Sequence, residues 1–178
     1  MKRFTRKIAG GIISAGMIVM MPGCSYINMA DYSGFTNIPP EGMPTGWEYE
    51  FSPEASDSTN SLRGRYDLAI AVRYTNHCPS ASVIFNIEEL SLVHEKPDST
   101  VVEIPLFDIE GQPIGQSRFG VNETLYILRK GFTPPEGYVL SLSSPLPSED
   151  TTGIKAVGIV LVNEDKPEKL NNIFWQLL

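Results

Sequence analysis

The chain has 178 residues, with 14 Lys and Arg, 21 Asp and Glu, two His and two Cys. That length suits one domain, and an apolar fraction of 42% is enough for a hydrophobic core. The formal charge of −7 disfavours nucleic acid as a partner, and two cysteines are too few for a four-thiolate zinc site or a disulfide framework.

The N-terminus has the pattern of a bacterial secretion signal. Residues 1–7 contain four basic side chains and no acid, and residues 8–21 are apolar or small. This stretch is shorter than the roughly 20 residues of a permanent membrane span. The run Met21-Pro22-Gly23-Cys24 resembles a lipobox, in which the cysteine thiol is acylated and becomes the new N-terminus. We therefore predict a signal peptide at 1–23 and a palmitate-bearing lipid anchor on Cys24.

The next segment lacks a hydrophobic period. Residues 25–45 include the proline-rich run from Asn37 to Pro44, which predicts a tether over 24–45 that joins the lipidated cysteine to a domain at 46–178. Cleavage before Cys24 would remove four of the 14 basic residues and none of the 21 acidic ones, which leaves a charge of −11. Such a chain has no electrostatic attraction to anionic lipid or nucleic acid.

Beyond residue 45, apolar residues recur with a period of two, which predicts β-strands. The clearest run is Tyr66–Thr75, where every second residue is aromatic or aliphatic. From Ala156 to Val162 both parities are apolar, so we expect this strand to be buried on both faces. Similar alternation predicts further strands at Trp47–Phe51, Val83–Ile87, Val102–Leu106, Leu125–Leu128 and Tyr138–Leu142.

One of these strands changes parity. Leu90 and Leu92 do not share the parity of Val83 and Ile87. A β-bulge at Glu88-Glu89 would return both leucines to the core face, because a single extra residue reverses the facing of everything after it.

Polar and turn-forming residues separate the predicted strands. About seven short strands with turns every 8–15 residues are typical of an all-β fold, a single antiparallel β-sandwich of jelly-roll or Ig-like type. The last residues, 166–178, could form a helix or a final strand. The turn segments are 53–64, 76–82, 95–98, 110–115, 133–137 and 145–153.

Residues that could carry catalysis are few. His77 adjoins Cys78, but neighbouring residues rarely align for proton transfer, so we interpret them as a loop histidine beside a packed cysteine. No nucleophile elbow, metalloprotease motif, phosphate loop or EF-hand loop is present. We predict a protein without catalytic residues, metal or cofactor. A glycosidase pair is the remaining enzymatic alternative, and we assign its candidate carboxylates to solvated sheet faces: Glu88, Glu89, Glu103, Asp108 and Glu110.

Four aromatic residues are candidates for a sugar-stacking platform, as an alternative to core packing or contact with a partner. The sequence leaves this choice open. These residues are Trp47, Tyr126, Tyr138 and Trp175.

The order of these strands and turns resembles the gliding-motility lipoprotein H (GldH) family of the Bacteroidota. The similarity covers roughly residues 24–162. The chain departs from the family pattern at His77-Cys78-Pro79-Ser80, where the family has an aromatic loop, and in its tail from Glu164 to Leu178. The stretches that carry the resemblance are Trp47–Phe51, Tyr66–Asn76, Asp98–Thr100 with Leu106–Gly115, Gly137-Tyr138 and Gly153–Ile159.

The resemblance implies a non-enzymatic envelope lipoprotein that serves as a scaffold or accessory component of an assembly related to gliding motility and type IX secretion. It therefore implies envelope proteins as partners. The surface-export signal of Bacteroidota lipoproteins is an acidic cluster after the cysteine, whereas residues 25–31 hold one acid. We thus expect an outer-membrane anchor with the domain facing the periplasm. The alternative is a glycan-binding accessory lipoprotein.

Three short triads resemble the Asp-Ser/Thr O-glycosylation sites of exported Bacteroidota proteins. All three lie in predicted loops. Their candidate acceptor residues are Ser58, Ser99 and Thr151.

Overall fold

The computed structural model describes residues 30–53 and 64–164. Within these ranges the chain forms nine β-strands and a short 3-10 turn, Ser148–Thr151. The strands are β1 (Tyr32–Asn37), β2 (Tyr49–Phe51), β3 (Tyr66–Tyr74), β4 (Ser82–Ser91), β5 (His94–Pro105), β6 (Gln116–Arg118), β7 (Val121–Phe132), β8 (Val139–Ser143) and β9 (Ile154–Asn163).

The strands form two antiparallel sheets that pack against each other, which confirms the predicted β-sandwich. One sheet has five strands in the order β1-β9-β3-β7-β6, and the other has four in the order β2-β8-β4-β5. Alternate residues of most strands point into the space between the sheets, where Leu68, Phe85, Leu140 and Ile159 have no exposed surface. Burial of each such side chain contributes about 1.5–3 kcal/mol to folding.

The central strands of the five-stranded sheet are buried on both faces, as predicted for β9. Leu161 and Ile159 face the core, while Val160 and Val162 belong to a second apolar cluster on the opposite side, with Ala71. This two-sided burial explains why neither face of β9 carries a row of polar residues.

The predicted tether is wrong for much of its length. β1 pairs with β9 over six consecutive positions, from Tyr32 with Leu161 to Asn37 with Ala156. Downstream of β1, Met43 is buried in the core with 1% of its surface exposed. The alternation is missing because β1 is an edge strand whose residues are mostly half-buried. The domain therefore begins before the predicted boundary at residue 46.

The predicted bulge at Glu88-Glu89 is also wrong. β4 keeps one register with β5 from Ser82 through Glu89, and the shift comes only after Glu89. Glu89 therefore occupies the core-facing parity and is 8% exposed, whereas Leu90 is 41% exposed. A buried carboxylate costs free energy unless it is paired, and Glu89 has the partners described below.

The β4–β5 hairpin turns earlier than predicted. Ser91 pairs with His94, so Leu92 and Val93 form the turn, and the predicted turn at 95–98 lies in β5. Residues 97–101 are exposed on β5, the edge strand of its sheet, where polar residues such as Asp98 and Ser99 are tolerated as they are in a loop.

The signal peptide, Cys24, Ser58, Trp175 and the tail 166–178 lie outside the described residues. In the part of the chain that the structure describes, no helix is long and apolar enough to cross a membrane.

Candidate functional site

A cluster of four polar side chains joins the two sheets at one end of the sandwich. Arg129 on β7 reaches across to Glu89 on β4, with its Nε 3.0 Å from both carboxylate oxygens and its Nη2 2.8 Å from Oε1. The same Nη2 lies 2.7 Å from Oδ2 of Asp98 on β5. Tyr138, just before β8, donates its hydroxyl to Glu89 Oε2 at 2.8 Å. The buried carboxylate is thus fully engaged by a cation and a phenol.

The electrostatics of this cluster keep its donors protonated. Hydrogen bonding to Glu89 raises the pKa of the Arg129 guanidinium above its usual range. Burial, together with the negative charge of Glu89, raises the pKa of the Tyr138 phenol. Both groups therefore act as fixed hydrogen-bond donors near neutral pH rather than as groups that exchange protons.

An open cleft of about 180 Å³ lies over this cluster. Arg129 and Asp98 line its polar side, and their side chains keep 42% and 72% of their surface exposed. The apolar side consists of Leu90, Phe132 and Pro135. The ring of Phe132 packs against that of Tyr138, with 4.9 Å between the centroids.

The β4–β5 hairpin forms an apolar rim beside the cleft. Leu92 and Val93 are 79% and 67% exposed, and Leu90 reaches the cleft itself. The Leu92 N–H donates to the Glu136 carbonyl, and a Cβ at Gly137 would come within 2.5 Å of Leu92 Cγ. The rim is therefore held against the segment before β8. We call Leu90, Leu92, Val93 and the cleft the hairpin surface.

Sequence reasoning missed the role of Glu89. The other carboxylates weighed with it, Glu88, Glu103, Asp108 and Glu110, are exposed as predicted, but Glu89 is buried. A detectable sign existed, because Glu89 continues the parity of Val83, Phe85 and Ile87. The partner Arg129 had no such sign, since nothing in the sequence of β7 indicates which cation crosses to the other sheet.

His77 and Cys78 have different environments, as the sequence predicted. His77 is exposed, whereas Cys78 is a free, buried cysteine that packs with the core. Burial raises the pKa of the Cys78 thiol. A thiol in this state is a poor nucleophile, because the thiolate is the reactive form.

The candidate platform aromatics do not share an exposed face among the described residues. Trp47 is 61% exposed, but Tyr138 is buried beneath the cleft and Tyr126 packs against the core. Core packing, the alternative interpretation, therefore applies to the two tyrosines.

Two of the three candidate glycosylation residues are described, and their surroundings differ. Ser99 is exposed on β5, in a strand rather than the predicted loop. Thr151 has no exposed surface, and its hydroxyl accepts from the Met43 N–H and donates to the Ser148 carbonyl. An enzyme could not reach the Thr151 hydroxyl in the folded domain.

Within residues 30–53 and 64–164, no group of three or more His, Cys, Asp or Glu side chains is arranged to hold a metal ion. No protein-family model matches the chain, and no curated protein matches it.

Proposed function

We propose that this protein is a non-enzymatic, lipid-anchored β-sandwich of the cell envelope. In this proposal it binds envelope proteins as a scaffold or accessory component of an assembly related to gliding motility and type IX secretion. The lipobox at Cys24 supports the anchor, and the sequence resemblance described above supports the assembly. The hairpin surface supports protein binding.

The hairpin surface is the observation that carries the proposal. Two consecutive turn residues, Leu92 and Val93, expose most of their aliphatic surface, and Leu90 extends this apolar area into the cleft. Exposed apolar patches of this kind mark interaction sites, and a cleft beside them can accept an anchoring side chain of a partner. The accessible Arg129 and Asp98 at the same cleft add a donor and an acceptor that a partner backbone can use.

The polar cluster supports a binding role over a catalytic one. Glu89 is already paired with Arg129 and Tyr138, and Asp98 is paired with Arg129. A general acid or base must exchange a proton with substrate, and a carboxylate held by a guanidinium and a phenol is poorly placed for that exchange.

Site-specific photo-crosslinking in the native membrane tests the proposed binding surface. A photoreactive residue at Val93 should crosslink to discrete envelope proteins, which mass spectrometry identifies. Ile109 provides the matched control, because it is fully exposed but lies beyond the other end of β5. Gliding or type IX secretion components captured at position 93, at least tenfold above position 109, would support the proposal. Equal capture at both positions would contradict it.

The lipid anchor has its own test. Wild-type protein should incorporate radiolabelled palmitate, and Cys24→Ser should abolish the label while Cys78→Ser retains it. Cys78 is a suitable control because it is the other cysteine of the chain and is buried in the core. Persistent labelling of Cys24→Ser would refute the anchor.

A second candidate function, glycan binding, is favoured by the chemistry of the cleft. Arg129 and Asp98 offer a donor and an acceptor side by side, and Phe132 offers an apolar wall, which together suit a sugar ring with vicinal hydroxyls. Binding to a glycan array that is lost in Asp98→Ala, without protein capture at Val93, would favour this function. Capture at Val93 with no glycan binding would favour the scaffold.

A further inference from the structure

β5 is an edge strand with an open side. It lies last in its sheet, with β4 as its neighbour, and it spans 12 residues from His94 to Pro105. The other edge strands of the described sheets are shorter, since β1 has six residues and β2 and β6 have three each. β1 also has no exposed residue before Asn37, whereas residues 97–101 of β5 are all exposed. An edge of this length presents unpaired backbone groups to any strand that can reach it.

The pairing with β4 shows which residues of β5 turn their backbone outward. The Leu106 N–H donates to the Ala81 carbonyl at 2.8 Å and continues the β4–β5 register. Hydrogen-bonded pairs alternate with non-hydrogen-bonded pairs along an antiparallel ladder, so every second residue of β5 bonds to β4. The alternation also holds on β4, because the Ile84 carbonyl, opposite Glu103, accepts from the Ser144 hydroxyl after β8. The residues with outward N–H and C=O groups are therefore Ser99, Val101 and Glu103.

The two ends of β5 are blunted, but its middle is not. Pro97 and Pro105 have no N–H to donate, and Pro97 adjoins the irregular part of the pairing with β4. Prolines and bulges are the devices by which edge strands avoid pairing with other chains. Between the prolines, Val101 is 66% exposed, and Glu103 is the one charged residue among the three with outward backbone groups. A further strand can therefore add to the stretch between the prolines.

We propose that β5 pairs antiparallel with β5 of a second copy of this chain, about a two-fold axis at Val101. The open stretch is symmetric about this residue, because Pro97 and Pro105 each lie four positions from it. In this register Pro97 faces Pro105 of the second copy, so no backbone donor lies opposite a proline. A self-complementary contact of this kind closes as a dimer.

The side chains agree with this register. Val101 meets Val101 of the second copy, and Ser99 meets Glu103 of the second copy. Each of these pairs exchanges two backbone hydrogen bonds. No charged side chain lies directly opposite a like charge, and the two valines cover each other's exposed surface. A shift of the register by two residues in either direction would place a proline opposite Ser99 or Glu103 and shorten the ladder.

A strand of another protein is the alternative occupant of this edge. We favour a second copy because the spacing of the two prolines is symmetric, which a second β5 matches by itself. The contact involves about five residues from each copy, so it is smaller than a standard interface and we expect a weak, reversible dimer. The paired stretch ends at Pro97 and does not include Leu92 or Val93, so the dimer does not depend on the partner binding proposed above.

Disulfide trapping in native membranes tests the pairing on the full-length protein. With Val101→Cys, the two substituted positions meet on the axis with Cα atoms about 5.5 Å apart, which a disulfide can bridge. Mild oxidation should therefore give a disulfide-linked homodimer. Ser99→Cys is the matched control, because this exposed position lies about 13 Å along the strand from its counterpart in the second copy, too far for a disulfide.

The homodimer should form at least tenfold faster from Val101→Cys than from Ser99→Cys. Equal rates, or no homodimer from Val101→Cys, would overturn the proposal. A disulfide from position 101 to a different protein, without a homodimer, would also overturn it and would assign the edge to a strand of that protein.

A second test removes one backbone donor and leaves the pairing with β4 intact. Val101→Pro deletes an outward N–H that β4 does not use, so circular dichroism should show a folded domain. Val101→Thr is the control, because it keeps the N–H and a β-branched side chain of similar size. The dissociation constant of the dimer, measured by sedimentation of the full-length protein in detergent, should rise at least tenfold in Val101→Pro and change little in Val101→Thr. A wild-type chain that remains monomeric, or equal constants for the two variants, would contradict the pairing.

Discussion

The Met43 N–H donates to the Thr151 hydroxyl at 2.7 Å, although the two residues are 108 positions apart. The Thr151 hydroxyl in turn donates to the Ser148 carbonyl at 3.0 Å, and the Ser148 hydroxyl donates to the Met43 carbonyl at 2.9 Å. These bonds fasten the segment after β1 to the 3-10 turn before β9. They make the N-terminal part of the domain integral to its stability.

Thr151→Val should therefore destabilise the domain by about 1–3 kcal/mol, because it leaves the buried Met43 N–H without an acceptor while it preserves side-chain shape. The midpoint of urea unfolding, at unchanged m-value, measures the loss. Thr152→Val is the matched control, since the exposed Thr152 hydroxyl bonds only to the Glu149 carbonyl, and we expect less than about 0.5 kcal/mol. Equal losses in the two variants would contradict this account.

Arg129→Met should cost about 2 kcal/mol of unfolding free energy, because it leaves the carboxylate of Glu89 buried without its cation. The value is lower than for a fully buried pair, since Arg129 is 42% exposed. Adding Glu89→Gln should restore part of the loss, because the unpaired charge is then gone. A double-mutant cycle by urea unfolding measures the coupling, and strictly additive losses would show that the pair has none.

Gly158→Ala should destabilise the domain by about 1–3 kcal/mol, because the new Cβ collides with the Gly34 carbonyl and the Phe35 ring. The steric change displaces β1 from the sheet edge. Hydrogen exchange should show faster exchange at the amides of β1 that bond to β9, with little change in β4. Gly111→Asn is the control, since nothing lies within 4 Å of that position and asparagine tolerates its positive φ of 76°. Unchanged exchange in β1 would refute the steric argument.

Stability should fall in alkaline solution. Burial raises the pKa of Tyr74 and of Tyr138 in the folded state above the ordinary value of about 10. Above about pH 10 the unfolded chain therefore releases these protons while the folded chain keeps them. The contribution of each tyrosine to the free energy of unfolding is complete below about pH 10. It is lost as the pH rises further, by up to about 1.4 kcal/mol per pH unit for each tyrosine. Melting temperatures between pH 8 and 11 test this, and Tyr74→Phe should show a shallower decline than wild type. An identical slope would contradict it.

Any O-glycan on the described part of the chain should be attached at Ser99 rather than Thr151. Ser99 is exposed on an edge strand, whereas the Thr151 hydroxyl is buried and holds two hydrogen bonds. Peptide mass spectrometry of protein from its native host should find added hexose mass on the Ser99 peptide, lost in Ser99→Ala. Hexose on the Thr151 peptide would refute this assignment.

Strict alternation made most of the sandwich predictable. Where one face of a strand is buried and the other is exposed to solvent, apolar residues recur with a clear period of two. This is the case around Tyr49 and Phe51 in β2 and around Phe85 in β4. β9 was predicted for a related reason, because apolar residues on both parities indicate a strand covered on both sides.

The wrong predictions share a physical cause: the structure at these positions is set by contacts with residues distant in the sequence, which leave no local pattern. β1 is a strand because β9 offers it a hydrogen-bonding edge, and its own half-buried residues carry no period. Glu89 is tolerated in the core because Arg129 arrives from the opposite sheet, 40 positions away. The cleft depends on that pairing, so the sequence pattern indicated the core-facing position of Glu89 but not the partner that completes the site.

If Cys24 carries the proposed lipid anchor, the position of β1 limits how far the domain can lie from the membrane. Only residues 25–31 lie between Cys24 and Tyr32, where the sheet begins. Fully extended, seven residues span at most about 25 Å, which is less than the thickness of a lipid bilayer with its headgroups. If Cys24 is acylated as proposed, the sandwich therefore begins no farther than about 25 Å from the membrane surface.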